Sequence, residues 1–452
     1  MKELMQTPEQ LRACFARLRA GAGKLAELPL DALLGRLEHL SRQWQPGSAS
    51  FQQASRMLGG VFGPYTVEAA LNGLALSLQA PILRAELARE LGRADLIDAW
   101  QPDEYGIGWA RSYPLGVVAQ VLAGNVFLGG VIALAQALLT RNAVLLKLSS
   151  EDSGFTELFT QTLLEADDDG VLRASVAVCS WSSGQEEFNQ VVREEADAVV
   201  VWGGQSAVDA YPAERCRGRV IHYGPRLGIG FVLNGVNLAE AVRNLAWDVA
   251  LWEQRACSSP RLLFVEEVGD LPRQVAAELS QALTAVRERL PARPLTLDDK
   301  AEVLAIRELA YWQEHAGFFA APHSMDHTVL LTATAPSEVP FGYRTICVIP
   351  FHGLDQIADL LAPYRAGLQT AVLAAPASRW PTAVDALARA GITQIAAAGS
   401  AAARFLGLPH EGEYALRRLV RLVGIDLGAG PLTAPERVPP DLSDVLRSTS
   451  GG

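Results

Sequence analysis

The chain has 452 residues, of which 49% are hydrophobic and 20% are charged. Because one hydrophobic core rarely serves so long a chain, we expect two domains or one large two-lobed unit. The 39 Lys and Arg against 50 Asp and Glu give a net charge of -11, which repels nucleic-acid phosphates and anionic membrane surfaces. The composition therefore disfavours a disordered chain and a nucleic-acid-binding protein.

The N-terminal residues and the cysteines favour a cytoplasmic protein. Residues 1–21 carry charges throughout and contain no apolar signal core. The five cysteines are odd in number and widely spaced, and no CxxC or Cys/His spacing typical of zinc occurs. We expect reduced thiols, no disulfide framework and no structural metal.

Residues 1 to about 100 have apolar positions at helical spacing and predict a helical region. After them, short apolar runs alternate with helical segments, which predicts strands buried on both faces of a doubly wound parallel sheet. The predicted strands are 116–123, 143–149, 174–180, 197–203 and 218–224.

The uncharged run 112–140 raises the alternative of a membrane-spanning helix. Glycine-containing pairs at 124–125 and 129–130 interrupt it, and Gln120 and Gln136 would need hydrogen-bond partners in lipid. Its first part is strand-like and its second part helix-like. We therefore predict a strand, a turn and a helix, with no membrane span.

A second series of strands and helices follows and predicts another α/β unit that faces the first across a cleft. We expect the active loops of this unit at the C-terminal ends of its strands. A Pro-, Gly- and Ser-rich tail from about residue 428 should run over the surface. The expected organisation is a helical N-terminal region with a cofactor-binding domain at 1–228, a catalytic domain at 229–400, and a C-terminal segment at 401–452 that returns to the cofactor domain or an oligomer interface.

The usual GxGxxG fingerprint of dinucleotide binding is missing, but one strand-to-helix turn is a substitute. Gly203 and Gly204 follow a predicted strand, and a helix begins near Ser206. Glycines in such a turn let backbone N–H groups approach a pyrophosphate. A plain tight turn is the alternative interpretation.

Polar residues after the second predicted strand are further cofactor candidates. Lys147 closes that strand, where it would bind ribose hydroxyls or a phosphate, or extend from the strand end to solvent. Ser149 and Ser150 leave room for the 2′-phosphate of NADP. Glu151 and Asp152 keep NAD as an alternative.

Two residues are candidates for the chemical step. Asn125 ends the first sheet strand, where its amide would donate to a developing oxyanion or simply stabilise a turn. Cys257 is a candidate nucleophile, although a free thiol with a pKa of about 8.5 needs a favourable local field, and a lone cysteine is more often a core residue.

Two histidines four residues apart, His323 and His327, suggest a metal site. No third ligand is evident in the sequence, so we favour a surface or cleft loop.

A set of motifs resembles the acyl-CoA reductase family typified by the fatty-acid reductase of bacterial bioluminescence (LuxC-type), a branch of the aldehyde dehydrogenase superfamily. No single motif is specific, but the ordered set is, and the resemblance covers about 105–427. The motifs are AGNVF, LLKLSS, VVWGG, EQRACSSP and GLPHEGEYALRRLVRLVGID.

The resemblance implies an aldehyde-dehydrogenase-like fold and roles for particular residues. Cys257 takes the place of the nucleophile and Asn125 that of the oxyanion donor. Lys147 matches the ribose-binding lysine and Gly203-Gly204 the phosphate turn. A second cofactor glutamate of the superfamily is matched loosely by Glu338 in SEVPFG.

One departure from the superfamily concerns the base that activates water. Hydrolytic members carry a glutamate in a Glu-Leu-Gly-Gly motif, whereas this chain reads HYGPRLGIG, with His222 near the place of the carboxylate. Without that base, reduction of an acyl-enzyme is favoured over its hydrolysis. His222 would be an acid or base itself, or a structural residue.

The resemblance implies a reductase that converts an acyl thioester to an aldehyde, using NADPH or, alternatively, NADH. It also implies a cytoplasmic homo-oligomer and an acyl-activating synthetase as partner. Two alternatives remain open at this stage: an acyl-phosphate reductase of the same fold, and a non-reducing acyl carrier or scaffold.

Overall fold

The computed structural model describes residues 3–102, 108–182, 184–312, 317–321, 323–336, 339, 342–402 and 407–426. A helical region precedes the first sheet, as the apolar spacing predicted. The short strand β1 (Glu3–Leu4) comes before this region, and two further strands follow it. The helices are α1 (Pro8–Glu27), α2 (Leu30–Gln43), α3 (Ala49–Phe62), α4 (Pro64–Ser77) and α5 (Ala80–Leu91), and the strands after them are β2 (Gln101–Pro102) and β3 (Gly108–Pro114).

The N-terminal helices cover both faces of the first sheet. Helix α1 begins with a capping box, in which the Thr7 side chain accepts from the Gln10 backbone N–H and the Gln10 side chain accepts from that of Thr7. Its buried face, including Phe15 and Leu18, packs on one side of the sheet. Helices α2 to α5 pack on the other side through a leucine-rich core.

The first sheet is parallel, and its order in the described residues is β1-β6-β5-β4-β7-β8. All five strands predicted for this sheet are confirmed. Strands β4, β5 and β7 are buried, continuous apolar runs, whereas the edge strand β8 is partly exposed. Its elements are β4 (Val117–Val121), α6 (Gly129–Leu139), β5 (Ala143–Lys147), α7 (Phe155–Glu165), α8 (Val171–Ser175), β6 (Val176–Ser180), α9 (Glu186–Glu195), β7 (Ala198–Trp202), α10 (Gln205–Asp209) and β8 (Arg219–Tyr223).

The uncharged run 112–140 forms the end of β3, then β4, a turn and α6, in agreement with the sequence interpretation. Across the described part of the chain, no helix combines the length and apolar character that a membrane crossing needs.

The second sheet has the order β11-β12-β13-β10-β9-β14-β15 in the described residues and is parallel except for β11. The chain therefore carries a second α/β unit with its own core. Its elements are β9 (Leu227–Val232), α11 (Leu238–Ala250), β10 (Pro260–Glu266), α12 (Leu271–Val286), α13 (Leu297–Trp312), β11 (Gly317–Phe319), β12 (Thr328–Leu331), β13 (Thr345–Phe351), α14 (Ile357–Leu361), β14 (Leu368–Ala374), α15 (Trp380–Arg389) and β15 (Gln394–Ala397).

The C-terminal described segment contains α16 (Ala415–Arg418) and β16 (Val420–Asp426). Strand β16 lies antiparallel to β3, which also pairs with β2. The segment contacts the first unit, because the Asn142 side-chain amide donates to the Leu419 carbonyl at 2.8 Å. No period-2 alternation strong enough to predict this small sheet is present in these segments.

Candidate active site

The first unit presents its predicted site residues at the C-terminal ends of parallel strands. Asn125 follows β4, Lys147 is the last residue of β5, and Gly203 follows β7. Since β4 lies between β5 and β7, these three positions share one edge of the sheet. This is the arrangement expected of a doubly wound sheet.

The second unit presents its site at the opposite end of its strands, so our expectation for this unit was wrong. Cys257 is exposed and lies between the 3-10 turn Leu251–Gln254 and the start of β10 at Pro260. Helix α11 returns the chain to the N-terminal edge of the sheet before β10 begins. Cys257 therefore occupies a helix-to-strand loop, and the C-terminal edge of the first sheet meets the N-terminal edge of the second.

A hydrogen bond joins the two units beside Cys257. The Asn125 Nδ2 donates to the backbone carbonyl of Arg255 at 2.8 Å, two residues before the cysteine. Trp252 packs against Phe127, with 5.4 Å between ring centroids. The structure thus brings together the loops of Asn125 and Cys257, which are far apart in sequence.

A left-handed turn fixes the direction of the chain ahead of Cys257. Trp252, Glu253 and Gln254 have φ values of 59°, 52° and 59°. Non-glycine residues adopt this region at a cost of about 1 kcal/mol or more each, so surrounding contacts must hold them. The buried Gln254 amide donates to the carbonyls of Pro260 and Thr345 at 2.8 and 2.7 Å.

An ion pair completes the support of this turn. The Arg344 guanidinium is buried, pairs with Glu253 and donates to the Leu290 carbonyl at 2.9 Å. Neither residue was singled out from the sequence. No glycine or asparagine marks the turn, so the usual signal for a positive φ is missing.

Two arginines lie within electrostatic range of Cys257. The ion pair with Glu411 raises the pKa of Arg226, and interaction with the Cys257 thiolate raises it further. Burial lowers the pKa of Arg261 to about 10, and the Cys257 thiolate opposes that shift. Arg261 could have been noticed in the sequence, because it lies four residues after the cysteine. Arg226 and Glu411 are far apart in sequence and meet only in the fold.

His222 lies on β8, and its ring is hydrogen-bonded to the backbone of the first unit. Its Nε2 donates to the Tyr211 carbonyl at 2.9 Å. Neighbouring strand residues face opposite sides of a sheet, so Tyr223 faces the other side, where it stacks on Trp202 with 4.1 Å between centroids. Trp202 also packs on the core that contains Ala256, the residue before Cys257. A catalytic role of His222 stays a prediction.

The cofactor candidates present a buried cation and an open backbone turn. Lys147 is 6% exposed, and burial lowers its pKa. Its ammonium lies 5.4 Å from the Trp181 ring centroid, and it forms no ion pair within the described residues. A cation desolvated in this way fits an anionic or hydroxyl-rich ligand.

The turn after β7 fits a ligand phosphate as well. Gly203 has a φ of 152°, and an added Cβ at Gly204 would have no atom within 4 Å. Ser206 is exposed on the short helix α10, which begins at Gln205. The Gly203 N–H donates to the Tyr223 carbonyl at 3.2 Å, so the residues that follow Gly203 would supply the N–H groups for a pyrophosphate.

The other cofactor candidates lie in the loop after β5 and beyond the described residues. Ser149 is half-buried and its hydroxyl accepts from the Glu151 N–H at 3.2 Å, whereas Ser150 is exposed. Glu338 lies outside the described residues.

The two histidines of the suggested metal motif have different environments. His323 is exposed, whereas His327 is buried with its Nε2 2.9 Å from the Ser280 hydroxyl. Within the described part of the chain, no group of three His, Cys, Asp or Glu side chains is placed to hold a metal ion.

The buried His327 should make the stability of the protein depend on pH. Burial lowers the pKa of His327 to about 4, so the unfolded chain binds the proton more readily. The free energy of unfolding should therefore fall as the pH drops from 6.5 to about 4, by about 3 kcal/mol from this residue. In urea unfolding at pH 7 and pH 4.5, His327→Gln should weaken this dependence, and exposed His39→Gln should leave it unchanged. The same change in the free energy of unfolding between the two pH values in all three proteins would refute the role assigned to His327.

Comparison with known proteins finds similar reductases. Long-chain acyl-protein thioester reductases are similar to the chain: that of Photobacterium phosphoreum is 24% identical, covering 88% of this chain and 80% of the relative. Reductase 2 of Photobacterium leiognathi is 26% identical, covering 74% and 68%.

Solved structures and a family model support the same placement. A protein described as an aldehyde dehydrogenase, PutA of Anabaena variabilis, has a TM-score of 0.69 at 16% identity and covers 96% of both chains. The glyceraldehyde-3-phosphate dehydrogenase GapN of Methanocaldococcus jannaschii, complexed with NADP, has a TM-score of 0.68 at 13% identity, covering 93% and 94%. These likenesses confirm the aldehyde-dehydrogenase-like fold. A model described as Acyl-CoA reductase (LuxC) matches residues 25–422, so the chain belongs to the LuxC acyl-CoA reductase family.

Proposed function

We propose that the protein reduces an acyl thioester to an aldehyde through a covalent acyl-Cys257 intermediate, with NADPH as reductant. Family membership supports the overall reaction, since the similar Photobacterium proteins carry the name acyl-protein thioester reductase. The observation that carries the mechanism is the Asn125 amide, hydrogen-bonded to the Arg255 carbonyl two residues from an exposed Cys257.

The first half-reaction transfers the acyl group. The Cys257 thiolate attacks the thioester carbonyl carbon, and the carbonyl oxygen becomes negative. The second N–H of the Asn125 amide and the Cys257 backbone N–H stabilise this oxyanion. Collapse breaks the bond to the carrier sulfur, which leaves as a thiolate and takes a proton from solvent.

The second half-reaction releases the aldehyde. A bound nicotinamide cofactor would supply a hydride to the acyl carbon. The resulting thiohemiacetal alkoxide is again stabilised by the Asn125 amide. When the carbon–sulfur bond breaks, the aldehyde leaves and the Cys257 thiolate is restored without a net proton transfer.

Reduction is favoured over hydrolysis because the end of β8 carries a tyrosine and no carboxylate. Tyr223 lies there, packed against Trp202 and the His410 ring. At neutral pH a phenol is protonated and a carboxylate is not. A phenol is therefore a much weaker base for the activation of water. Nearby Glu411 is held in its ion pair with Arg226.

Six described residues are proposed to hold the cofactor. Lys147 would bind ribose hydroxyls or a phosphate, and the turn at Gly203 and Gly204, with Ser206, would bind the pyrophosphate. Ser149 and Ser150 would leave room for the 2′-phosphate of NADPH, and their hydroxyls would donate hydrogen bonds to it. NADH is the alternative, since the solved relatives include GapN complexed with NADP and PnpE of Pseudomonas sp. WBC-3 in complex with nicotinamide adenine dinucleotide.

Lys147→Met should weaken NADPH binding by about ten-fold or more, since the contact of the buried ammonium with the cofactor would be lost. Nicotinamide fluorescence titration measures this, and NADH run in parallel reports the preference between the two cofactors. Exposed Lys24→Met is the control for a change of net charge. Unchanged affinity in folded Lys147→Met would remove Lys147 from the cofactor site.

The thioester donor is proposed to be a protein or a coenzyme thioester supplied by an acyl-activating synthetase. Incubating the protein with acyl-CoA, acyl-protein and acyl-phosphate donors without cofactor, followed by intact mass measurement, identifies the donor class. Co-purification with a synthetase and measurement of mass in solution test the proposed hetero-complex and homo-oligomer. No acyl adduct from any donor would contradict the proposed intermediate.

A further inference from the structure

The starts of β9 and β10 lie side by side next to Cys257. Gly228 pairs with Pro260, and a Cβ at Gly228 would lie 2.7 Å from the Ser258 carbonyl oxygen and 2.4 Å from that of Ser259. Such distances are shorter than van der Waals contact, so only glycine allows this approach of the two chains. The backbone of β9 therefore packs directly on the residues that follow the nucleophile.

This packing brings Arg226 to the nucleophile loop. Arg226 comes two residues before Gly228, donates to the Ala366 carbonyl at 2.9 Å and pairs with Glu411. The side chain of Glu411 is 10% exposed, so the pair is largely shielded from water. Its carboxylate offsets most of the positive charge that Arg226 would otherwise present to Cys257.

Arg261 occupies an irregular position at the start of β10. Pro260 pairs with Gly228 and Leu262 pairs with Ile229, so Arg261 is an extra residue between two consecutive partners on β9. A bulge of this kind redirects the side chain that it carries, and bulges are frequent next to active sites. The Arg261 side chain is partly buried four residues after Cys257, and a negative charge on Cys257 acts to raise the pKa of Arg261.

We propose that Arg261 is the counter-charge that holds Cys257 as a thiolate before the acyl donor arrives, and that Glu411 restrains a second such charge on Arg226. Ionisation breaks the S–H bond and gives the proton to solvent, while both guanidinium groups keep their protons. A positive group beside a thiol favours its ionised form. The proposal rests on the assignment of Cys257 as nucleophile and explains how positive charge next to the thiol would activate it.

Alkylation by iodoacetamide tests this proposal, because the reagent reacts with the thiolate and needs neither donor nor cofactor. The rate at Cys257 is followed by peptide mass mapping from pH 5 to pH 10. In Arg261→Met the midpoint of the rate profile should move up by about one pH unit, which slows the reaction about ten-fold below the midpoint. Arg261→Lys keeps the charge and should stay within about three-fold of the wild type.

Glu411→Gln supplies a change of opposite sign. It leaves the Arg226 charge uncompensated, so the midpoint should move down and alkylation at low pH should accelerate a few-fold. Arg389→Met, which removes an exposed guanidinium of the same unit, is the control and should leave the profile unchanged. Damage to the fold would slow or scatter the reaction in both site variants and would not give opposite shifts.

The outcomes separate this proposal from the proposed function. An unchanged midpoint in folded Arg261→Met, or slower alkylation in Glu411→Gln, overturns the counter-charge. If Arg261→Met does not fold, the Glu411→Gln and Arg261→Lys profiles still decide. Failure of the wild type to take up an acyl group, with the arginine-dependent profile intact, would instead overturn the acyl-Cys257 intermediate.

Discussion

Cys257→Ala is expected to take up no acyl group and to form no aldehyde, a loss of more than about 10³-fold. The sulfur is the atom that forms and breaks the acyl bond, and no other group in the mechanism replaces it. The variant should still bind NADPH with nearly the affinity of the wild type, because the cofactor candidates lie on the first sheet. Intact mass after incubation with the acyl donor and an NADPH oxidation assay measure the two effects.

A second cysteine provides the control for this experiment. Cys216 is half-buried and distant in sequence, so Cys216→Ala should keep both acylation and reduction. Aldehyde formation by Cys257→Ala, or an acyl adduct mapped to Cys216, would refute the assignment of the nucleophile.

Asn125→Ala is expected to slow acyl transfer to Cys257 by about 10² to 10³-fold, the usual cost of removing one oxyanion donor. Single-turnover acylation followed by mass spectrometry measures this rate. Alkylation of Cys257 by iodoacetamide has no oxyanion, so it should proceed at nearly the wild-type rate in the same variant.

The comparison of the two reactions separates an oxyanion role from a structural role. Asn125 also donates to the Arg255 carbonyl, so its loss would loosen the cysteine loop if that bond were its main purpose. Equal slowing of acylation and alkylation would therefore show that Asn125 only positions the loop.

Much of the fold could be predicted because its strands are buried on both faces. Strands β4 to β7 are largely continuous apolar runs bounded by turn residues, so their limits agree with the sequence to within a few residues. The antiparallel pair β3 and β16 escaped because it joins distant segments through a half-exposed surface. Local composition does not reveal such pairing.

The site residues that lie in family motifs could be predicted from the sequence. Those that are brought together only by the fold could not. Asn125 and Cys257 carry recognisable motifs, and their loops do meet. Arg226 and Glu411 are 185 residues apart, and no local pattern connects them. The role of His222 stays a prediction, because a shift of one residue in strand register sends a side chain to the other face of the sheet.

The hydrogen bond between Asn125 and the Arg255 carbonyl joins the loop after β4 in the first unit to the Cys257 loop in the second. Each unit can change its core during evolution without disturbing the proposed reaction, provided that the distance between these two loops is kept within about 0.5 Å. Substitutions should therefore be least tolerated where these two loops meet, rather than in either core.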